Sequence, residues 1–186
     1  MRKIAEENGL ITARKKDSTG ICFIGERNFR KFLKDFIPMQ AGNICDLDGN
    51  VIGRHEGVMY YTLGQRRGLN LGGKDGYEND RWFVVKKDVK KNILYVNCGE
   101  CDEMFSSELE TDGFNWITDK PKESFSCFVK CRYRQPDQKA VCTILENGGV
   151  HLKFEEKQRA VTPGQYAVLY SEDGMCYGGG EIISCK

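Results

Sequence analysis

Between positions 29 and 37 the apolar side chains Phe29, Phe32, Leu33, Phe36 and Ile37 recur at i, i+3, i+4, i+7 and i+8. That spacing predicts an amphipathic helix starting near Glu26 and ending before Pro38. Upstream, residues 2–8 have helix-forming composition and stop at Gly9, a natural left-handed cap. LITA, residues 10–13, then reads as a short strand. Downstream, ICDLDGNVIGRHEG places an Asp48-Gly49 turn between two short strands. YYTLGQRRGLNLGG reads as a short helix or turn running into a glycine-rich loop, and RWFVVKKDVKKNILYVN as a hairpin around Asp88 to Asn92. From about Leu109 the pattern changes to repeated short strands: GFNWI, SFSCFVKCRYR, KAVCTILE, VHLKFEE, QYAVLYS and MCYGGGEIIS, separated by Pro, Gly, Asn and Asp turns. Six strands at this spacing favour a closed barrel or sandwich. The expected fold class is α+β to mainly β, with a small α+β unit over 27–104 and an all-β unit over 105–186.

Composition adds little against this and excludes several classes. Hydrophobic residues are 40% and charged residues 30% of the 186, as in ordinary globular chains. No apolar run approaches the roughly 20 residues needed to span a bilayer, and MRKIAEENGL lacks a signal-peptide core, so the expected location is the cytoplasm, with no membrane partner. The net charge of +1 provides no basic field, so any affinity for nucleic acid must come from local groups such as Arg66 and Arg67, or Lys130, Arg132 and Arg134. Strand alternation projects those last three from one face as a short basic ridge suited to phosphates. The alternative is a solvated strand face.

The nine cysteines are scattered and odd in number, which points to reduced thiols. Cys98 and Cys101, followed by Cys127 and Cys131, invite a four-thiolate zinc reading. Extended-strand geometry puts Cys127 and Cys131 about 13 Å apart, too far to share an ion with Zn–S bonds of about 2.3 Å. With Phe125, Val129 and Tyr133 they alternate with Ser126, Phe128, Lys130, Arg132 and Arg134, on a mostly apolar face as compact core residues, and no metal site is expected. Cys22 is placed differently, in KKDSTGICFIGER directly ahead of the helix. Helix-terminal N–H groups with Lys15, Lys16 and Arg27 lower a thiol pKa, while Asp17 and Glu26 oppose them. The residues leave two readings open: a buried structural thiol supported by Ile21, Phe23 and Ile24, or a reactive one.

Taken in order, KKDSTGICFIGER, GVMYYTLGQRRGLNLGG, CRYRQ, and AVTPGQYAVLY with GGGEII resemble the C-terminal half of the tRNA-specific 2-thiouridylases, the MnmA/TrmU family, some of whose members carry an older tRNA methyltransferase name. The resemblance implies a PP-loop ATP-pyrophosphatase domain, a small central domain and a barrel like those of translation factors. No SGGxDS phosphate loop occurs in these residues. The expectation is a fragment whose residues 1–26 are the tail of that first domain plus the cysteine loop, inactive alone. The family uses ATP and Mg to activate C2 of the wobble uridine (U34) of tRNAs for Lys, Glu and Gln. Sulfur arrives as a cysteine persulfide from a relay that begins at a cysteine desulfurase. By motif match the persulfide cysteine is Cys22, which would end the cycle in a disulfide with a cysteine of the first domain. The tRNA contacts map onto Arg132, Tyr133 and Gln165, with Lys130, Arg134, Arg66 and Arg67 as weaker candidates. The alternative is an RNA-binding barrel module with no catalytic role.

Overall fold

The computed structural model describes residues 2–15, 29–71, 81–121, 123–132 and 135–186. They fall into two compact units, Met1–Met39 and Gln40–Lys186. In the first, helix α1 (Arg2–Glu7) ends where Gly9 turns left-handed at φ 64°, as a residue without Cβ permits. Residues 11–14 form a turn rather than the strand expected for LITA: the Ala13 N–H bonds the Leu10 carbonyl, and the Lys15 N–H that of Thr12. Helix α2 covers Phe29–Lys34 and continues as a further turn closed by the Ile37 N–H on the Leu33 carbonyl at 2.8 Å, short of Pro38.

The second unit begins with a four-stranded sheet of β1 (Gly42–Cys45), β2 (Val51–His55), β3 (Trp82–Asp88) and β4 (Ile93–Cys98), ordered β2-β1-β4-β3. Both expected hairpins are present. In the first, the Asp46 carboxylate accepts the Asn50 N–H at 2.8 Å and its side-chain amide at 3.0 Å, and Gly49 takes φ 90°. The hairpins meet along a parallel β1–β4 pairing. Asn92, left-handed at φ 54°, locks that seam by donating its amide to the Gln40 and Ala41 carbonyls, while its own carbonyl is 3.1 Å from His55 Nε2. Ile44, Val84, Leu94 and Val96 form the core under Tyr61, Leu69, Leu71 and Trp82.

Six strands then close a barrel in the order β10-β5-β8-β7-β6-β9. They are β5 (Phe105–Trp116), β6 (Phe125–Lys130), β7 (Gln138–Ile144), β8 (Val150–Arg159), β9 (Tyr166–Tyr170) and β10 (Cys176–Cys185). β5 starts earlier than GFNWI suggested, and β6 stops at Lys130 instead of running on through Arg132. Leu109, Leu152, Leu169 and Ile182 are at most 1% exposed, and each such burial is worth about 1.5–3 kcal/mol. Closure of β10 on β5 depends on Gly178, at φ 143°, where a Cβ would overlap the Asn115 carbonyl oxygen.

Sheet and barrel meet through named contacts within this unit. Arg159 pairs with Glu100 at 2.8 Å and lies 5.1 Å above the Phe83 ring. The Ala160 N–H bonds the Met104 carbonyl at 2.7 Å. A cavity of about 340 Å³ remains between them, lined by Leu63, Val85, Phe105, Val161 and Cys185 among others.

Candidate nucleic-acid interface

β6 and β9 pair antiparallel, setting Lys130 opposite Val168 and Phe128 opposite Tyr170. Side chains alternate across a strand, so Tyr166, Val168 and Tyr170 share one face beside Lys130. With Thr62, Arg132 and Gln165 they line an open groove of about 680 Å³. Three residues singled out in the sequence, Lys130, Arg132 and Gln165, are therefore brought together.

Lys130 and Arg132 do not share the strand face that the expected ridge required, and its third member, Arg134, lies outside the described residues. Because β6 ends at Lys130, Arg132 lies in a bend. Lys130 pairs with Asp137 at 3.3 Å and rests 5.6 Å above the Tyr170 ring. Arg132 is exposed, yet its Nη2 donates to the Ala160 carbonyl at 2.9 Å and the Leu63 carbonyl at 3.3 Å. A guanidinium carries five N–H donors in a planar fork, so engagement of Nη2 leaves another edge for a phosphate. Gln165 closes the turn begun at Thr162, with Gly164 at φ 85°. It is half-buried rather than at a free loop tip, and among the described residues its Oε1 is buried without a hydrogen-bond donor.

Arg66 and Arg67 are exposed on a turn where Gln65 accepts the Thr62 N–H at 3.0 Å and donates to the Arg67 carbonyl at 2.8 Å. Cys22, Tyr133 and Arg134 lie outside the described residues, as do residues 72–80 of the glycine-rich loop.

Sequence reading missed Tyr166 and Tyr170. Their period-two spacing in QYAVLY was visible, but their place beside Lys130 depends on a pairing of strands distant in sequence. The groove offers cationic groups for phosphates and an exposed tyrosine ring for stacking, elements of single-stranded RNA recognition.

Five of the described cysteines differ in kind from a nucleophile. Cys127, Cys131 and Cys142 are buried in the barrel core, and that burial pushes each thiol up to about 12. Cys45 and Cys101 are also raised, chiefly by burial. All five are protonated thiols near neutrality. Among the described residues no group of three or more His, Cys, Asp or Glu side chains is placed to hold a metal ion, and no helix is long and apolar enough to cross a membrane.

Comparison with known proteins agrees with this architecture. Residues 30–98 match the tRNA methyl transferase PRC-barrel domain and residues 106–182 the aminomethyltransferase beta-barrel domain. Residues 1–26 match the tRNA methyl transferase HUP domain. The tRNA-specific 2-thiouridylase MnmA of Marinomonas sp. (strain MWYL1) is 50% identical over 98% of this chain and 47% of its own length. Proteins of the same name from Oceanobacillus iheyensis and Hahella chejuensis are 52% and 51% identical, over 98% and 99% of this chain and 48% and 50% of theirs. The chain spans about half the length of the curated relatives it matches. With this identity along nearly every residue, and with a mixed sheet followed by a closed barrel, the chain belongs to the tRNA-specific 2-thiouridylase family.

Proposed function

We propose that this chain supplies the central and tRNA-holding parts of an enzyme that replaces the C2 oxygen of the wobble uridine by sulfur in tRNAs for Lys, Glu and Gln. The observation that carries this reading is the groove where Arg132, Lys130 and Gln165 converge beside Tyr166 and Tyr170. Cationic side chains hold the RNA backbone and fix its register, and the tyrosine ring stacks on an unpaired base. Arg66, Arg67, Tyr133 and Arg134 add contacts along the same RNA. The extents of the three family matches support an organisation of 1–26, 27–104 and 105–186.

Cys22 carries the sulfur. Its thiolate attacks the sulfane sulfur of a persulfide on a relay protein or cysteine desulfurase, forming a Cys22 persulfide and releasing the donor's thiolate. ATP and Mg belong, in this reading, to a PP-loop domain of the whole protein, and the part proposed for this chain is binding and sulfur carriage. The cytoplasm, where thiols stay reduced, suits this chemistry.

Two measurements test the reading. Filter binding of end-labelled tRNA transcripts between 50 and 300 mM salt (a range spanning about a twofold change in screening length) should give affinity that falls linearly in log–log form; affinity independent of salt rejects the groove. Incubation with a persulfide donor should add about 32 Da, one sulfur atom, to Cys22, and Cys22→Ser should abolish it.

A further inference from the structure

The bend that carries Arg132 is held by a run of glutamine amides that the function above does not use. Gln158, on β8, is 6% exposed. Its Oε1 accepts from Gln135 Nε2 at 2.9 Å, and its Nε2 donates to Gln138 Oε1 at 2.9 Å and to the Glu156 carbonyl at 2.8 Å. Gln135 Oε1 in turn accepts the Cys131 N–H at 3.2 Å. The Gln135 N–H bonds the Arg132 carbonyl at 3.0 Å, and Gln138 Nε2 donates to the Pro136 carbonyl at 3.1 Å. Cys131, through Gln135, and Gln138 are thereby tied to one amide of the barrel wall.

Each amide in this run donates through nitrogen and accepts through oxygen, so a single set of side-chain orientations satisfies the whole chain. Two residues along, Ala160 presents the carbonyl that receives the Arg132 guanidinium. The end of β8 therefore grips the bend twice, by the Gln158 side chain and the Ala160 backbone. Groups that sample many conformations pay an entropic cost on binding; Arg132, Gln135 and Gln138 are each held by the barrel wall before RNA arrives.

We propose that Gln158, acting through Gln135, is a positioning residue for tRNA binding: it holds Gln135, whose N–H holds the Arg132 carbonyl, so that Arg132 meets the RNA backbone in one arrangement. The inference rests on the groove reading above. It assigns no contact between Gln158 and RNA.

The test is a double-mutant cycle on this chain, read by filter binding of tRNA transcripts over a salt titration, with thermal melts recorded in parallel. Arg132→Ala should weaken binding about tenfold and lower the slope of log affinity against log salt by about 1. Gln158→Met keeps the length and removes the amide; it should reproduce both changes, and the double variant should bind no more weakly than Arg132→Ala alone. A merely structural role would lower the melting temperature without altering the salt slope. Gln135→Met, made at a half-buried site on the bend itself, gives the same answer should Gln158→Met fail to fold. If Arg132→Ala weakens binding while both glutamine variants bind as wild type, or if the effects add in the double variant, the positioning role is overturned and the groove stands. If Arg132→Ala leaves affinity unchanged, the groove reading falls and this inference falls with it.

Discussion

Arg132→Ala should cost stability as well as affinity, and the structure sets the size of that cost. The substitution removes two charge-assisted hydrogen bonds from Nη2, one to the Ala160 carbonyl within the barrel unit and one to Leu63 beside the small sheet. A hydrogen bond to a charged group contributes about 1.5–3 kcal/mol, but three facts reduce that here. The side chain is exposed, the Leu63 bond is long at 3.3 Å, and the Ala160 carbonyl keeps the Thr162 hydroxyl at 2.9 Å. A total of about 1–2 kcal/mol is therefore expected, or a drop of roughly 2–8 °C in melting temperature for a chain of this size. Arg132→Lys retains a charge but not the fork, so it should recover no more than about half of the loss. Urea unfolding followed by circular dichroism measures this directly. A loss below about 0.3 kcal/mol, within the scatter of a neutral surface substitution, or a lysine variant as stable as wild type, would refute the claim that the guanidinium joins sheet to barrel.

Three further outcomes follow from the same geometry. His55 is 2% exposed, and burial, helped by Arg54, lowers its pKa despite the bond to Asn92. The folded state then binds fewer protons than the unfolded state, so stability is full above the unfolded value of about 6.5 and falls below it, by at most about 1.4 kcal/mol per pH unit. Urea midpoints from pH 8 to 5 should show this fall, and His55→Gln should flatten it. Native Cys127, Cys131 and Cys142, with thiols pushed up to about 12, should alkylate at pH 8 about a thousandfold more slowly than after unfolding, as read by peptide mass mapping. Gly178→Ala, which sets a methyl group against the Asn115 carbonyl, should destabilise the barrel by about 2–4 kcal/mol in the same urea assay.

Local chemistry was the legible part of this fold. The Asp48-Gly49 and Asp88–Asn92 hairpins follow from turn residues between apolar runs, and Cys127 and Val129 are buried where period-two alternation put them. The errors have local causes too. LITA is apolar enough for a strand, but its backbone closes consecutive turns instead. The polar start of β5, SSELET, hid a strand held by pairing to β8 on one side and β10 on the other. The site was legible as single residues and not as an arrangement. Lys130 and Gln165 become neighbours only because β6 pairs β9, and Gln158 reaches Gln135 only across the barrel wall. No window of sequence contains those distances.

Closure of β10 against β5 gives the barrel a ring-like connectivity, with residues 117–175 as the arc between the two partners. Entropy of ring closure grows only logarithmically with arc length, so this seam can form late without a prohibitive penalty, yet it cannot form before the arc is largely ordered. The same adjacency makes the barrel a candidate for circular permutation: a cut in the exposed Glu146–Asn147 turn, with a short linker from β10 to β5, would keep every ladder while making the β10–β5 seam local and the β7–β8 pairing the distant one. Refolding kinetics of such a permutant would report which of the two pairings limits closure of the ring.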